Sequence, residues 1–210
     1  DKLMVKEFEQ DPETYVWIFL DGSKESNEAR SGKIRTTYEQ EVGKSILSPA
    51  DRTQYRLPKE PFEYVVSLAA TLCDYYIKGG KSIGLISSGQ ALVKLSPDLG
   101  VRQQDKIFEA LAILLPEDNM TISELLESQI SSIPKGSTLV VLSASVDYDL
   151  SNELKALKNR NYLPMFVGVN PASFGGEKNN AALVEHLSNS GIPVRNFEYG
   201  DRLELLEGLG

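Results

Sequence analysis

Asp21, Ser23 and Glu25 occupy alternate positions directly after the apolar run Tyr15-Val16-Trp17-Ile18-Phe19-Leu20, and Ser26 follows them. Carboxylate and hydroxyl oxygens at this spacing suit a hard cation such as magnesium or manganese, which takes oxygen ligands and keeps part of its water. A plainer reading is also open, in which Asp21 and Ser23 close the loop through side-chain to backbone hydrogen bonds, as Asp and Ser do at strand exits. In open α/β sheets ligands sit outside the carboxyl ends of strands, so the loops to inspect are residues 21–28, 87–90 and 143–149. If Asp21, Glu25 and Asp147 converged on one point, they could act as ligands or general base of a metal-assisted hydrolase. If the Asp21 loop is only capped internally, the module is structural.

Other chemistries find little support. Ser31-Gly32-Lys33 lacks the upstream glycine of a phosphate loop, no GxGxxG follows a strand, and Ser87-Ser88-Gly89 is not a GxSxG elbow. Ser23 stands where phosphoryl transfer on a DxDxT-type strand end would need a second acid. His186 is the sole histidine and falls inside a predicted helix, away from any candidate nucleophile. Cys73 is the sole cysteine, which excludes an intramolecular disulfide or a thiolate zinc site; its apolar helical surroundings mark it as a small buried hydrophobe. No catalytic residue is assigned.

The elements that must position these residues alternate between β-branched or aromatic runs and helical periods, the pattern of βα units feeding a largely parallel sheet. Strands are predicted at residues 15–20, 82–86, 139–142, 165–169 and 193–197, the last towards an edge because Pro193 cannot donate to a ladder. Residues 3–8 read as an edge strand pairing with 15–20 or with 93–95. Apolar residues at 62, 65, 66, 69, 72, 73, 76 and 77 predict a helix over 62–78, stopped by Gly79-Gly80. Further helices follow around Ile107 to Leu114, around Ile122 to Ile133 with Thr121 or Ser123 as cap, from Ser151 as cap to Arg160, around Leu183 to Leu187, and from Asp201 onward. Residues 22–61 are polar, contain Pro49, Pro58 and Pro61, and read as an insertion of the functional or mobile kind.

At 210 residues, 41% hydrophobic and 25% charged, the chain suits one domain with a sizeable insertion rather than two. No apolar run approaches the ~20 residues that cross a bilayer, so it reads as soluble with no membrane contact of its own. A net charge of −8 repels phosphate backbones, and the one basic cluster, Lys155 to Arg160, reads as the wet face of a helix; nucleic acid is not an expected partner. The start at Asp1-Lys2-Leu3, without Met, basic stretch or apolar signal core, reads as a fragment of something longer.

Several motifs in order carry a resemblance. Leu3-Met4-Val5-Lys6-Glu7-Phe8-Glu9, Val16-Trp17-Ile18-Phe19-Leu20-Asp21-Gly22-Ser23, Val65-Val66-Ser67-Leu68-Ala69-Ala70 and Lys81-Ser82-Ile83-Gly84-Leu85-Ile86 resemble the von Willebrand factor type A-like region of the bacterial domain of unknown function family fifty-eight. Leu95 to Gly100, Leu139 to Ser143 and Leu163 to Val169 continue the match. The resemblance implies a doubly wound, mostly parallel sheet with helices on both faces and an antiparallel edge strand. It implies a soluble cytoplasmic domain of a protein anchored in the membrane by segments ahead of Asp1, and a MoxR-type AAA+ ATPase as partner. Type A domains typically hold a divalent ion at a metal-ion-dependent adhesion site of form DxSxS, completed by a Thr and an Asp from two further loops. Here Asp21 and Ser23 agree with that pattern. Glu25 stands at the second Ser unless Ser26 replaces it through a shifted loop, no Thr lies between Val93 and Leu115, and Ala144 falls at the third-loop Asp, with Asp147 or Asp149 nearby. The resemblance therefore implies a degenerate site on Asp21, Ser23, Glu25 and Asp147 with at most weak magnesium or manganese binding. It also implies a non-catalytic interaction domain whose acidic surface favours a basic counterpart.

Overall fold

The computed structural model describes residues 15–27 and 59–201. The predicted strand at 3–8, residues 28–58 of the insertion and the helix after Asp201 lie outside the described residues.

Six strands form one sheet: β1 (Val16–Leu20), β2 (Ile83–Ser87), β3 (Val93–Asp98), β4 (Thr138–Ser143), β5 (Leu163–Val169) and β6 (Val194–Phe197). Their order is β3-β2-β1-β4-β5-β6, and every neighbouring pair is parallel except β2 with β3. Parallel neighbours require crossovers, and helices supply them: α1 (Pro61–Lys78) before β2, α2 (Val101–Ala112) and α3 (Ile122–Gln129) before β4, α4 (Asp149–Asn159) before β5, and α5 (Ala181–Asn189) before β6. β1 and β2 are buried at every position, as strands covered on both faces must be, whereas edge strand β3 alternates between half-buried and exposed positions and accommodates Pro97.

The two-residue period of the strands sorts the core into two layers. Val16, Ile18 and Leu20 pack with α1 and α2, through residues such as Leu68, Leu72 and Ile107; Trp17 and Phe19 pack with α3, α4 and α5, through Leu125, Leu154 and Leu187. This is the doubly wound α/β architecture expected from the sequence. Cys73 lies in the α1 layer with no exposure, and burial, followed by the Asp74 charge, pushes its thiol up to about 12.

Three local expectations are resolved by hydrogen bonding. β1 pairs with β2 on one side and β4 on the other, so residues 15–20 have no edge left for the segment at 3–8. Thr121, not Ser123, caps α3: its hydroxyl accepts from Glu124 N while the Glu124 carboxylate accepts from Thr121 N, a capping box. Ser151 does not cap α4, which begins two residues earlier. Asp147 Oδ1 accepts from Asp149 N at 3.0 Å at the start of that helix, and Ser151 is buried in its first turn with its hydroxyl unpartnered among the described residues.

Candidate functional site

In open α/β sheets the strand ends at the carboxyl edge carry the sites, and here strand register builds the cluster. Leu20 pairs with Leu142 across β1 and β4, so the residues that follow, Asp21 and Ser143, meet where the sheet ends; Asp21 N donates to the Leu142 carbonyl at 2.9 Å. Asp21 is fully buried. A carboxylate taken out of water costs several kcal/mol unless its oxygens are satisfied, and three donors satisfy it. Ser143 Oγ and Ser145 Oγ both donate to Oδ2, at 2.6 and 2.7 Å, and Ser23 N donates to Oδ1 at 3.0 Å. The two hydroxyl contacts have the short lengths of charge-assisted bonds. Ser145 N in turn donates to Ser143 Oγ at 2.9 Å, which fixes the serine pair relative to each other.

Two neighbouring loops clamp the Asp21 loop. Gly22 N donates to Ser88 Oγ at 3.2 Å, and a β-carbon at Gly22 would fall 1.8 Å from the Ser88 carbonyl oxygen, so only glycine permits this approach. Ser87 Oγ donates to the Leu20 carbonyl at 3.0 Å. On the other side, Asp118 N donates to the Gly22 carbonyl at 3.3 Å and Lys24 N to the Asp118 carbonyl at 2.8 Å.

Asp21 and Ser23 are thus brought together, and the other sequence-predicted site residues are engaged elsewhere. After Ser23 the chain enters a 3-10 turn, Lys24–Asn27. Its period is about three residues rather than two, which turns Glu25 to solvent and Ser26 inward. Glu25 pairs with Lys178 at 3.2 Å, both side chains about half exposed. Ser26 is fully buried and its hydroxyl has no partner among the described residues. Asp147 accepts from Ser123 N at 3.2 Å through Oδ2 and from Asp149 N through Oδ1, so its carboxylate joins the first turns of α3 and α4. Ala144, at the position of the expected third-loop Asp, belongs to the apolar cluster of Leu20 and Leu142, on the face opposite Ser143. Among the described residues, no group of three or more His, Cys, Asp or Glu could hold a metal ion. Sequence reasoning assigns no role to Ser143, Ser145, Ser88 or Asp118, although the first three lie in the loops 87–90 and 143–149 that follow strands at this edge. Their one local signal is that Ser143 and Ser145 alternate after β4 as Asp21 and Ser23 do after β1.

No family model and no curated protein matches the sequence. Solved structures do match its shape. BatB, a conserved hypothetical protein from Bacteroides thetaiotaomicron, superposes with a TM-score of 0.54 at 12% identity, covering 89% of this chain and 91% of BatB. An aerotolerance-related membrane protein from Bacteroides fragilis gives 0.53 at 12% identity, covering 92% and 94%. Proximal thread matrix protein 1 of the mussel byssus gives 0.50 at 12%, over 93% of this chain and 46% of its own. The fold is von Willebrand factor type A-like. At such identity the likeness concerns the fold, and no helix among the described residues is long and apolar enough to cross a membrane.

Proposed function

We propose that this chain is a non-catalytic protein-interaction domain whose carboxyl-edge loops hold a protein partner, built around a degenerate metal-ion-dependent adhesion site. The observation that carries this reading is the Asp21 carboxylate, whose Oδ2 accepts hydrogen bonds from both Ser143 and Ser145. The donors nearby suit a magnesium-like ion in kind, being hard oxygens, but not in number. Among the described residues, Asp21 is the one carboxylate the two serines address; Asp118, joined by its backbone to Gly22 and Lys24, accepts from Asn119 N and Met120 N through Oδ1, Glu25 and Asp147 are bound to other groups, and Ala144 contributes no oxygen. Magnesium demands near-octahedral oxygen coordination and sheds its water reluctantly, so such a set binds it weakly. The separate engagements of Glu25 and Asp147 also disfavour a three-carboxylate hydrolase. The resemblance to domain of unknown function family fifty-eight adds the finer proposal of a MoxR-type AAA+ ATPase as partner and of a membrane anchor ahead of Asp1.

Titration calorimetry tests the reading. Millimolar magnesium or manganese should give little heat, whereas a MoxR-type ATPase from the same organism should bind equally well with and without the ion. A submillimolar ion site abolished by Asp21→Ala overturns the degenerate-site reading. Failure of the purified ATPase to bind removes that partner.

A further inference from the structure

Beside the Asp21 cluster, three large aliphatic side chains stand at least half exposed: Leu92 at 55%, Ile113 at 71% and Leu115 at 51%. They belong to two loops, residues 88–92 entering β3 and residues 113–121 leaving α2, and these loops are fastened to each other. Gln90 Nε2 donates to the Ile113 carbonyl at 2.7 Å, and Leu115 N donates to Gln90 Oε1 at 2.8 Å. A β-carbon at Gly89 would lie 2.8 Å from the Leu115 carbonyl oxygen, so the two backbones touch. Through Asp118 the second loop is joined to Gly22 and Lys24, which makes one continuous ledge from Leu92 to Glu25.

A single exposed leucine is ordinary on a protein surface, but three large aliphatics carried by two loops that hydrogen-bond to each other concentrate apolar surface at one edge, as interaction sites do. The charges that border it are mainly negative. Glu25, Glu109 and Glu117 are exposed and Asp118 is half-buried. Lys24, Lys94 and Lys178 answer only part of this charge, the first donating to Asn119 Oδ1, the second to Gln129 Oε1 and Ser132 Oγ, and the third pairing with Glu25. A second copy of a chain with net charge −8 would bring like charge against like. A partner with apolar anchors among lysines or arginines satisfies both features of the ledge.

We propose that this ledge docks a protein partner through a short segment whose apolar side chains are flanked by lysine or arginine. The inference rests on the interaction-domain reading and places the contact beside Asp21 rather than on it. The test is fluorescence anisotropy with a labelled amphipathic peptide of leucines flanked by lysines, and its twin with glutamates for the lysines. The lysine peptide should bind, the glutamate peptide should not, and added salt should weaken binding. The Leu92→Ser, Ile113→Ser, Leu115→Ser variant should lose at least about tenfold in affinity. The three positions lie outside the core, so its circular dichroism and urea midpoint should match the parent. Glu117→Lys should weaken binding independently, and Glu185→Gln, an exposed acid on α5, should leave it unchanged. Equal binding by the triple-serine variant, equal binding of both peptides, or no binding of the lysine peptide overturns the proposal. A dimer of the parent that the serines dissolve would make a second copy the occupant. Much tighter binding by a variant lacking residues 28–58 would make the chain's own segment the occupant. Either result overturns the proposal, while a tight magnesium site would overturn the degenerate-site reading and leave the ledge untouched.

Discussion

Removing either serine hydroxyl from Asp21 Oδ2 leaves a buried carboxylate oxygen short of a proton, so Ser143→Ala and Ser145→Ala should each destabilise the fold by about 1.5–3 kcal/mol. The two serines also contact each other, with their hydroxyl oxygens 2.9 Å apart. Their costs should therefore fall short of additive in the double variant, as expected of residues in one network. Urea denaturation of the two single variants and the double variant measures this, and strictly additive costs would mean that the serines act independently. Asp21 and Ser23 were legible in the sequence because they end an unbroken apolar run, where a sheet must surface. The serines that satisfy Asp21 were not, since they lie 122 and 124 residues away and Ser-Ala-Ser has no local signature. Glu25 turns to solvent and pairs with Lys178 for a local reason: counting by twos assumes that the strand continues, and the 3-10 turn at Lys24 changes the count.

Helix ends show where a one-dimensional reading of elements stops. Apolar periodicity located α1 to within one residue of its first position, Pro61, because the periodic face is the one that packs. The start of α4 was misjudged because its side-chain acceptor is Asp147, a residue that also serves α3 from across a tertiary contact. Asp147→Ala takes an acceptor from two helix N-termini at once and should cost about 1–2 kcal/mol by denaturant midpoint. Ser151→Ala discards a buried hydroxyl without a partner and should be neutral or slightly stabilising. A larger loss from Ser151→Ala than from Asp147→Ala would mean that Ser151 rather than Asp147 holds the start of the helix.

At the scale of the whole molecule, the alternation of strands and helices made the doubly wound sheet legible. The sequence did not reveal which loops lace together at its edge, because those contacts join segments far apart in the chain. Acid groups across the molecule also set how stability responds to pH. Burial, then the Glu60 charge, raises the Glu63 carboxyl, and burial, then Glu127, raises Glu153 against the opposing pull of Arg160. A carboxyl with a raised folded pKa holds its proton more tightly when folded, so its contribution to stability declines as pH climbs from the unfolded value, about 4.3, through the folded one. Asp74 acts in the opposite sense: the hydrogen bond from Lys78 is the largest cause holding it low, so its contribution fades as pH falls. The Glu63→Gln, Glu153→Gln variant should therefore exceed the parent in stability by more at pH 7 than at pH 4, as read by urea midpoints; a gap independent of pH would contradict the assignment.

The lone thiol gives the molecule a built-in clock. Cys73 is sealed on the sheet-facing side of α1 and kept protonated by its surroundings, so a thiol-reactive dye can reach it only when that layer lifts from the sheet. The rate of dye uptake then counts these openings without an engineered cysteine, and its change when a partner seats on the carboxyl edge would measure how far that contact is felt inside the core.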